Sequence, residues 1–190
     1  RSNTMSNLLV QNIKHTNGTS AQTVDSSGRV HHPNTVFCDL WRLGADFTSS
    51  GATVTGWQRP TESDYAYIAP SGTGMTQSSG IFTFPITGVY LITAHAQIFL
   101  NTADQHAGIN LQISIDSGSN FNIPARTSSA AEASSNSMSG SGLQYLCNVT
   151  NVSQTQVKFV TVSFSSGAYV LGTSTSNYTS VYFERKGPSQ

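Results

Sequence analysis

Residues 80–100 read GIFTFPITGVYLITAHAQIFL, and the second half of this run decides the fold. Successive side chains of a strand point to opposite faces. In strand form, Tyr90, Ile92, Ala94, Ala96, Ile98 and Leu100 make one unbroken apolar row, and Val89, Leu91, Thr93, His95, Gln97 and Phe99 make a mixed row on the other side. A 3.6-residue period would interleave the two rows, so the segment is predicted to be a long central strand with its apolar row on a core. Just upstream, Pro85 cannot donate to a ladder and ends the preceding apolar run, and Gly88 allows a tight turn before Tyr90 packs back on the core.

Working outward, the chain continues in the same manner. Short runs rich in Val, Ile, Phe, Tyr and Thr alternate with Gly, Ser, Thr and Asn, and no window carries a sustained i, i+3, i+4 apolar pattern with caps. Strands are predicted at 36–41, 53–58, 65–68, 81–84, 89–100, 109–115, 143–149, 156–164, 169–171 and 180–185. In the first of these, Phe37 or Cys38 faces inward depending on register. In the sixth, Ile109, Leu111, Ile113 and Ile115 share a face opposite Asn110, Gln112 and Ser114. An amphipathic strand needs a second sheet to cover it, so the expected architecture is an all-β, antiparallel two-sheet jelly-roll sandwich. The stretch 126–142, RTSSAAEASSNSMSGSG, is low in complexity and reads as a long surface loop, either a plain connection or a recognition element.

Residues 8–33 contain two thin apolar runs, around Leu8, Val10 and Ile13 and around Val24, separated by Asn17-Gly18 and closed by Ser27-Gly28. That is hairpin chemistry with too little apolar surface to bury a core alone. The expected organisation is therefore an N-terminal docking or stalk segment at 1–34, a sandwich domain at 35–187 and a tail at 188–190.

Composition narrows the function classes. Lys+Arg and Asp+Glu are both 9, so no charged field is available to draw in nucleic acid or anionic lipid. Charged residues are 9% of the chain, against roughly 25% in an ordinary soluble domain. Such a surface relies on hydroxyl and amide groups for hydration, and on packing or association for stability. No run approaches a membrane span, and the N-terminus has no apolar signal-peptide core. The sequence carries no HExxH, GxSxG, P-loop, GxGxxG or CxxC pattern, so no catalytic residue and no cofactor is expected. Asp104, Gln105 and His106, with His31 and His32, are the residues nearest to an ion site, but their spacing fits no known ligand set. Cys38 and Cys147 read as two buried free thiols, with a disulfide as the alternative. The sequons at Asn17, Asn148, Asn151 and Asn177 are what an Asn- and Thr-rich chain generates by chance.

The spacing Phe82, five residues, Gly88, any residue, Tyr90 resembles the signature of the complement 1q globular-head family, within the tumour necrosis factor-like jelly rolls. Ile92 stands where that signature has a final Phe, and its upstream aromatic and acidic positions are not met. Segments 109–116, 142–145, 156–162 and 180–183 follow the family's strand order, so the resemblance covers about 36–186. It implies a homotrimer, with Phe82, Gly88, Tyr90, Ile92, His95 and Phe183 at the core or the subunit interface. If His95 lines that interface, three copies converge near the axis. It is then either a hydrogen-bonded interface residue or a switch titrating at roughly pH 6 to 7, and an ion on the axis is conceivable although no spacing supports one.

The run 8–30 is in turn similar to the opening of small structural proteins of marine and cyanobacterial phages, which implies a virion location and docking to other virion proteins through residues 6–33. If Met5 is the native start, the chain is a complete small virion protein. The expected function is a fibre or receptor-binding module attaching to a host surface glycan or protein. Its contact residues are expected at Arg126, Glu132 and Asn136 of the Ser-rich stretch and at Tyr169 and Tyr178. Trp41, Trp57, Tyr65 and Tyr67 are further aromatics able to stack on a sugar. A capsid decoration with no receptor and a secreted complement 1q-like binding domain are the alternatives.

Overall fold

The computed structural model describes residues 12–14, 16, 18, 20–31, 37–61, 70, 73–101, 104–131, 137–165 and 167–190. The chain divides into two compact units, Arg1–Val36 and Phe37–Gln190. The first holds a three-stranded antiparallel sheet of β1 (Asn12–Lys14), β2 (Ser20–Val24) and β3 (Val30–His31). The turn between β2 and β3 is closed from within. Asp25 Oδ1 accepts from the amides of Ser27 and Arg29, both at 2.9 Å, its Oδ2 pairs with Arg29 Nε, and Gly28 takes φ +78°. Ile13 and Val30 remain exposed, as expected of so thin an element. Leu8, Val10 and Asn17 lie outside the described residues.

The second unit is a sandwich of antiparallel strands with no helix among the described residues. One sheet runs β11 (Ser137–Val149), β8 (Gly88–Leu100), β14 (Ser180–Gly187), β4 (Phe37–Leu43), β5 (Trp57–Gln58), with β13 (Tyr169–Val170) pairing the far end of β8. The other runs β10 (Asn122–Ala131), β9 (Asp104–Ser114), β12 (Gln156–Val162), β7 (Ile81–Thr83), β6 (Thr76–Ser78). Neighbours distant in sequence, such as β4 beside β14 and β9 beside β12, give the crossed order of a jelly roll.

The core is the space between the sheets. β8 alternates as its sequence dictates: Tyr90, Ile92, Ala94, Ala96, Ile98 and Leu100 are buried, and His95 on the opposite row is exposed. β4 resolves its own register with Phe37, Asp39, Trp41 and Leu43 buried and Cys38 half-buried on the other side. Phe82 is the centre of an aromatic cluster, within 5.1–6.2 Å of the rings of Trp41, Trp57, Phe159 and Phe183. The Pro85–Gly88 turn is latched by Tyr90, whose hydroxyl donates to the Ile86 carbonyl at 2.8 Å while its ring packs on Phe37 and Phe84. At Gly88 a Cβ would lie 2.3 Å from Arg185 Nε and 2.7 Å from the Gly187 carbonyl, so the close approach of β14 excludes any side chain there.

Several expectations need correction. Residues 126–142 are not a loop: β10 extends to Ala131 and β11 begins at Ser137, leaving only 132–136 between them, outside the described residues. Their Ser and Gly side chains have no strand signature, and the strands exist because the ladders to β9 and β8 recruit their backbones. Ile115 is not on the core face of β9. That strand ends at Ser114, and Ile115 is 70% exposed in the following turn. Only 57–58 of the strand expected at 53–58 pair in a ladder, Thr53 making a single bridge to Val160. β6 was not foreseen, because TQS carries no apolar residue. The segment 65–68, with Tyr65 and Tyr67, lies outside the described residues.

Candidate binding surfaces

The outer side of the β11-β8-β14-β4-β5 sheet is an open surface. Register brings Leu91 opposite Leu146, Phe99 opposite Met138 and Tyr169, and Leu40 opposite Tyr182. Leu146 and Met138 are 60% and 61% exposed. Tyr169 stacks on Phe99 with ring centroids 4.7 Å apart and planes at 21°. His95 stands in the middle of this face. Its Nδ1 lies 3.0 Å from the Tyr178 carbonyl, which can only accept, so Nδ1 carries the proton. Gly140 and Gly142, glycines inside a strand, flank it: Gly142 is its cross-strand partner, and a Cβ on Gly140 would come 3.2 Å from His95 Nε2. Tyr182 on the same face has its hydroxyl pKa raised, first by burial and then by Cys38 and Glu184 beside it.

The outer side of the five-stranded sheet carries a smaller feature, a groove of about 530 Å³ lined by Asn110, Arg126, Thr127, Ser128, Val162 and Ser163. Two cross-strand rows build it, Arg126–Asn110–Val160 and Ser128–Gly108–Val162. Gly108, between Ser128 and Val162 in the second row, carries no side chain. A Cβ there would lie 2.0 Å from the Thr127 carbonyl, so the close approach of β10 depends on that glycine. Asn110 is 6% exposed, and its side chain makes no hydrogen bond to a described residue. Ser163 at the rim holds φ +56°, a left-handed conformation rare outside glycine.

The residues expected to act together are dispersed. Arg126 is exposed in the groove, whereas Tyr169 belongs to the opposite sheet and the 48%-exposed Tyr178 lies in the bend that leads into β14. Glu132 and Asn136 lie outside the described residues. Phe82, Tyr90, Ile92 and Phe183 are buried in the core between the sheets. Trp41 and Trp57 are also core residues and offer no sugar platform. Cys38 and Cys147 are free thiols. Cys147 is buried, and burial pushes its pKa up to about 11. No group of three His, Cys, Asp or Glu side chains is gathered among the described residues, and the side chains of Asp104 and His106 are not among those described. Asn148 is engaged by the C-terminus, its amide donating to the Gln190 carbonyl at 2.6 Å. The groove residues Asn110 and Ser163 were not singled out from sequence, because Asn110 reads there only as one of the polar residues on the outer face of β9, with Gln112 and Ser114.

No family model matches the sequence, and no curated protein matches it. Similarity appears at the level of structure. Eiger TNF from S. frugiperda aligns with TM-score 0.60 and 8% identity, over 83% of this chain and 96% of that one. Murine APRIL at pH 8.5 aligns with TM-score 0.53 and 14% identity, over 79% and 98%. The globular domain of zebrafish complement 1qA follows at TM-score 0.48, too loose a match to carry weight. Identities this low speak for the fold alone, and none of these proteins is viral. The second unit is thus an antiparallel sandwich with the tumour necrosis factor-like jelly-roll fold.

Proposed function

We propose that the chain is a non-catalytic, homotrimeric recognition module carried on a phage virion as a fibre or attachment protein. The observation that carries the assembly is the open face around His95. It sets Leu91, Leu146, Phe99, Met138, Tyr169 and Tyr182 side by side on a surface with few charges, the composition of a subunit interface and not of a hydrated exterior. β10 and β11 end their respective sheets and lie against each other, so one flank of the sandwich is a paired edge. Edge packed on open face is a heterologous contact, which closes into a ring when the rotation allows, and covering both edges removes a route to uncontrolled sheet extension. Recognition then works by avidity, three weak sites on one rigid body.

Light scattering at micromolar concentration tests the assembly. The expected mass is three times 20.2 kDa, and Leu146→Glu, which places a charge in the proposed contact, should give a folded monomer. A monomeric wild-type chain would overturn the reading.

The virion setting rests on the N-terminal run and the charge-poor composition. A secreted binding domain is the second reading, favoured by the fold shared with Eiger TNF and APRIL. Electron microscopy of phage particles with an antibody to this chain separates the two. Label at fibre tips supports attachment, label on the capsid face points to decoration, and absence of label favours the secreted reading.

A further inference from the structure

We propose that the groove on the outer side of the five-stranded sheet binds a sugar residue bearing a carboxylate, with Arg126 pairing the carboxylate and Asn110 reading the adjoining hydroxyls. This deepens the recognition reading above and rests on it for its biological meaning, but the site is argued from its own residues. Asn110 is 94% buried and carries two donors and an acceptor with no side-chain partner among the described residues. Buried amides are almost always satisfied, by protein, water or ligand. This one lines a groove large enough for a small ligand.

Arg126 is Asn110's direct cross-strand neighbour, and its guanidinium forms no ion pair or hydrogen bond with any described residue. No Asp or Glu is among the described residues that line the groove, and among them Arg126 supplies the one positive charge, whose planar fork suits a carboxylate.

The rest of the lining sets the ligand class. Ser128 and Ser163 add hydroxyls that donate and accept, and Val162 supplies one apolar wall for the C–H face of a ring. No described lining residue is an aromatic on which a nucleobase could stack. The described lining holds no carboxylate for an ammonium either, which argues against amino acids, and a single cation is too little for a phosphate dianion. Hydroxyl and amide groups around one guanidinium match a uronic or related sugar acid. Ser163 is held at φ +56° at the rim, an unfavourable conformation of the kind that concentrates at binding sites.

The test is a calorimetric titration of the whole chain with D-glucuronate and with D-glucose, each sample also weighed by light scattering. Glucuronate is expected to bind at least tenfold more tightly than glucose. Arg126→Gln should abolish that preference, and Ser128→Leu, which fills the hollow from an exposed position, should weaken both sugars tenfold or more. Lys158→Gln, a cation elsewhere on the same face that sits over the Phe121 ring, should change neither. Equal affinity for the two sugars, no saturable binding by the wild-type chain, or an undiminished preference in Arg126→Gln would each overturn the site. A trimer without the preference removes the groove and leaves the recognition module standing; a monomer that keeps the preference does the reverse.

Discussion

Asp39 is carried by β4 into the core, where a lone carboxylate would cost several kcal/mol. It is matched in full: Arg59 Nε and Nη2 donate to its two oxygens at 2.9 and 2.8 Å, the Met75 amide donates at 2.7 Å, and the guanidinium lies 4.2 Å above the Trp41 ring. Gly74 at φ +74° makes the room, since a Cβ there would sit 2.7 Å from Arg59 Nη2. The cluster ties the first strand of one sheet to the segment that enters β6 of the other. Removing one partner strands the other charge, so Asp39→Ala should cost about 3–5 kcal/mol in urea unfolding, with Asp39→Asn costing less because it can still accept from Met75. Cys147 makes a second residue-scale prediction. A thiol pKa moved from 9.0 to about 11 by burial cuts the thiolate fraction at pH 8 about a hundredfold. In a timed disulfide-exchange assay Cys38 should therefore react first, and Cys147 only once the chain is unfolded.

At the scale of elements, the turn 115–120 is organised by one carboxylate. Asp116 Oδ1 accepts from Ser114 Oγ at 2.7 Å and the Asn120 amide at 2.9 Å, and Oδ2 accepts from Asn120 Nδ2 at 2.7 Å. The Ser114 hydroxyl first, and Asn120 next, lower its pKa from 3.8 to about 2. A depressed folded pKa means the turn's contribution is complete above the unfolded value and lost as pH falls from about 4 toward 2. The protection of the Gly118 and Asn120 amides, taken relative to their intrinsic exchange rates, should fall across that window, and Asp116→Ala should show the low protection at every pH. The turn was not legible in the sequence, and the reason is the same for β10 and β11. In β8 the side chains themselves declare the strand, one apolar row and one mixed, and its pairing with β11 keeps register over its full length. The Ser- and Gly-rich halves of β10 and β11 are strands only through backbone bonds to partners far away in sequence, which no local pattern encodes. The same gap hid the groove: Arg126 stood out as the start of the Ser-rich stretch, but Asn110 and Gly108 gain meaning only once β9 lies between β10 and β12.

For the whole molecule, the consequence of having 9 cations and 9 anions in 190 residues is that the proposed assembly would be held by something other than charge. The open face offers leucines, aromatics, hydroxyls and glycines, with Glu184 already paired to Lys186 at 2.7 Å. Apolar burial does not weaken with salt, whereas attraction between exposed charges fades as screening shortens to roughly 3 Å at about 1 M. The oligomer and the groove should therefore respond oppositely to ionic strength. Between about 0.05 and 1 M sodium chloride the light-scattering mass should stay constant, while the preference for glucuronate over glucose should shrink several-fold, because it rests on the single guanidinium of Arg126. A mass that falls with salt would mean that charges, and not the Leu91–Leu146 surface, carry the contact. The edge-on-face arrangement would then have to give way to one built on the few ionic residues of the sandwich.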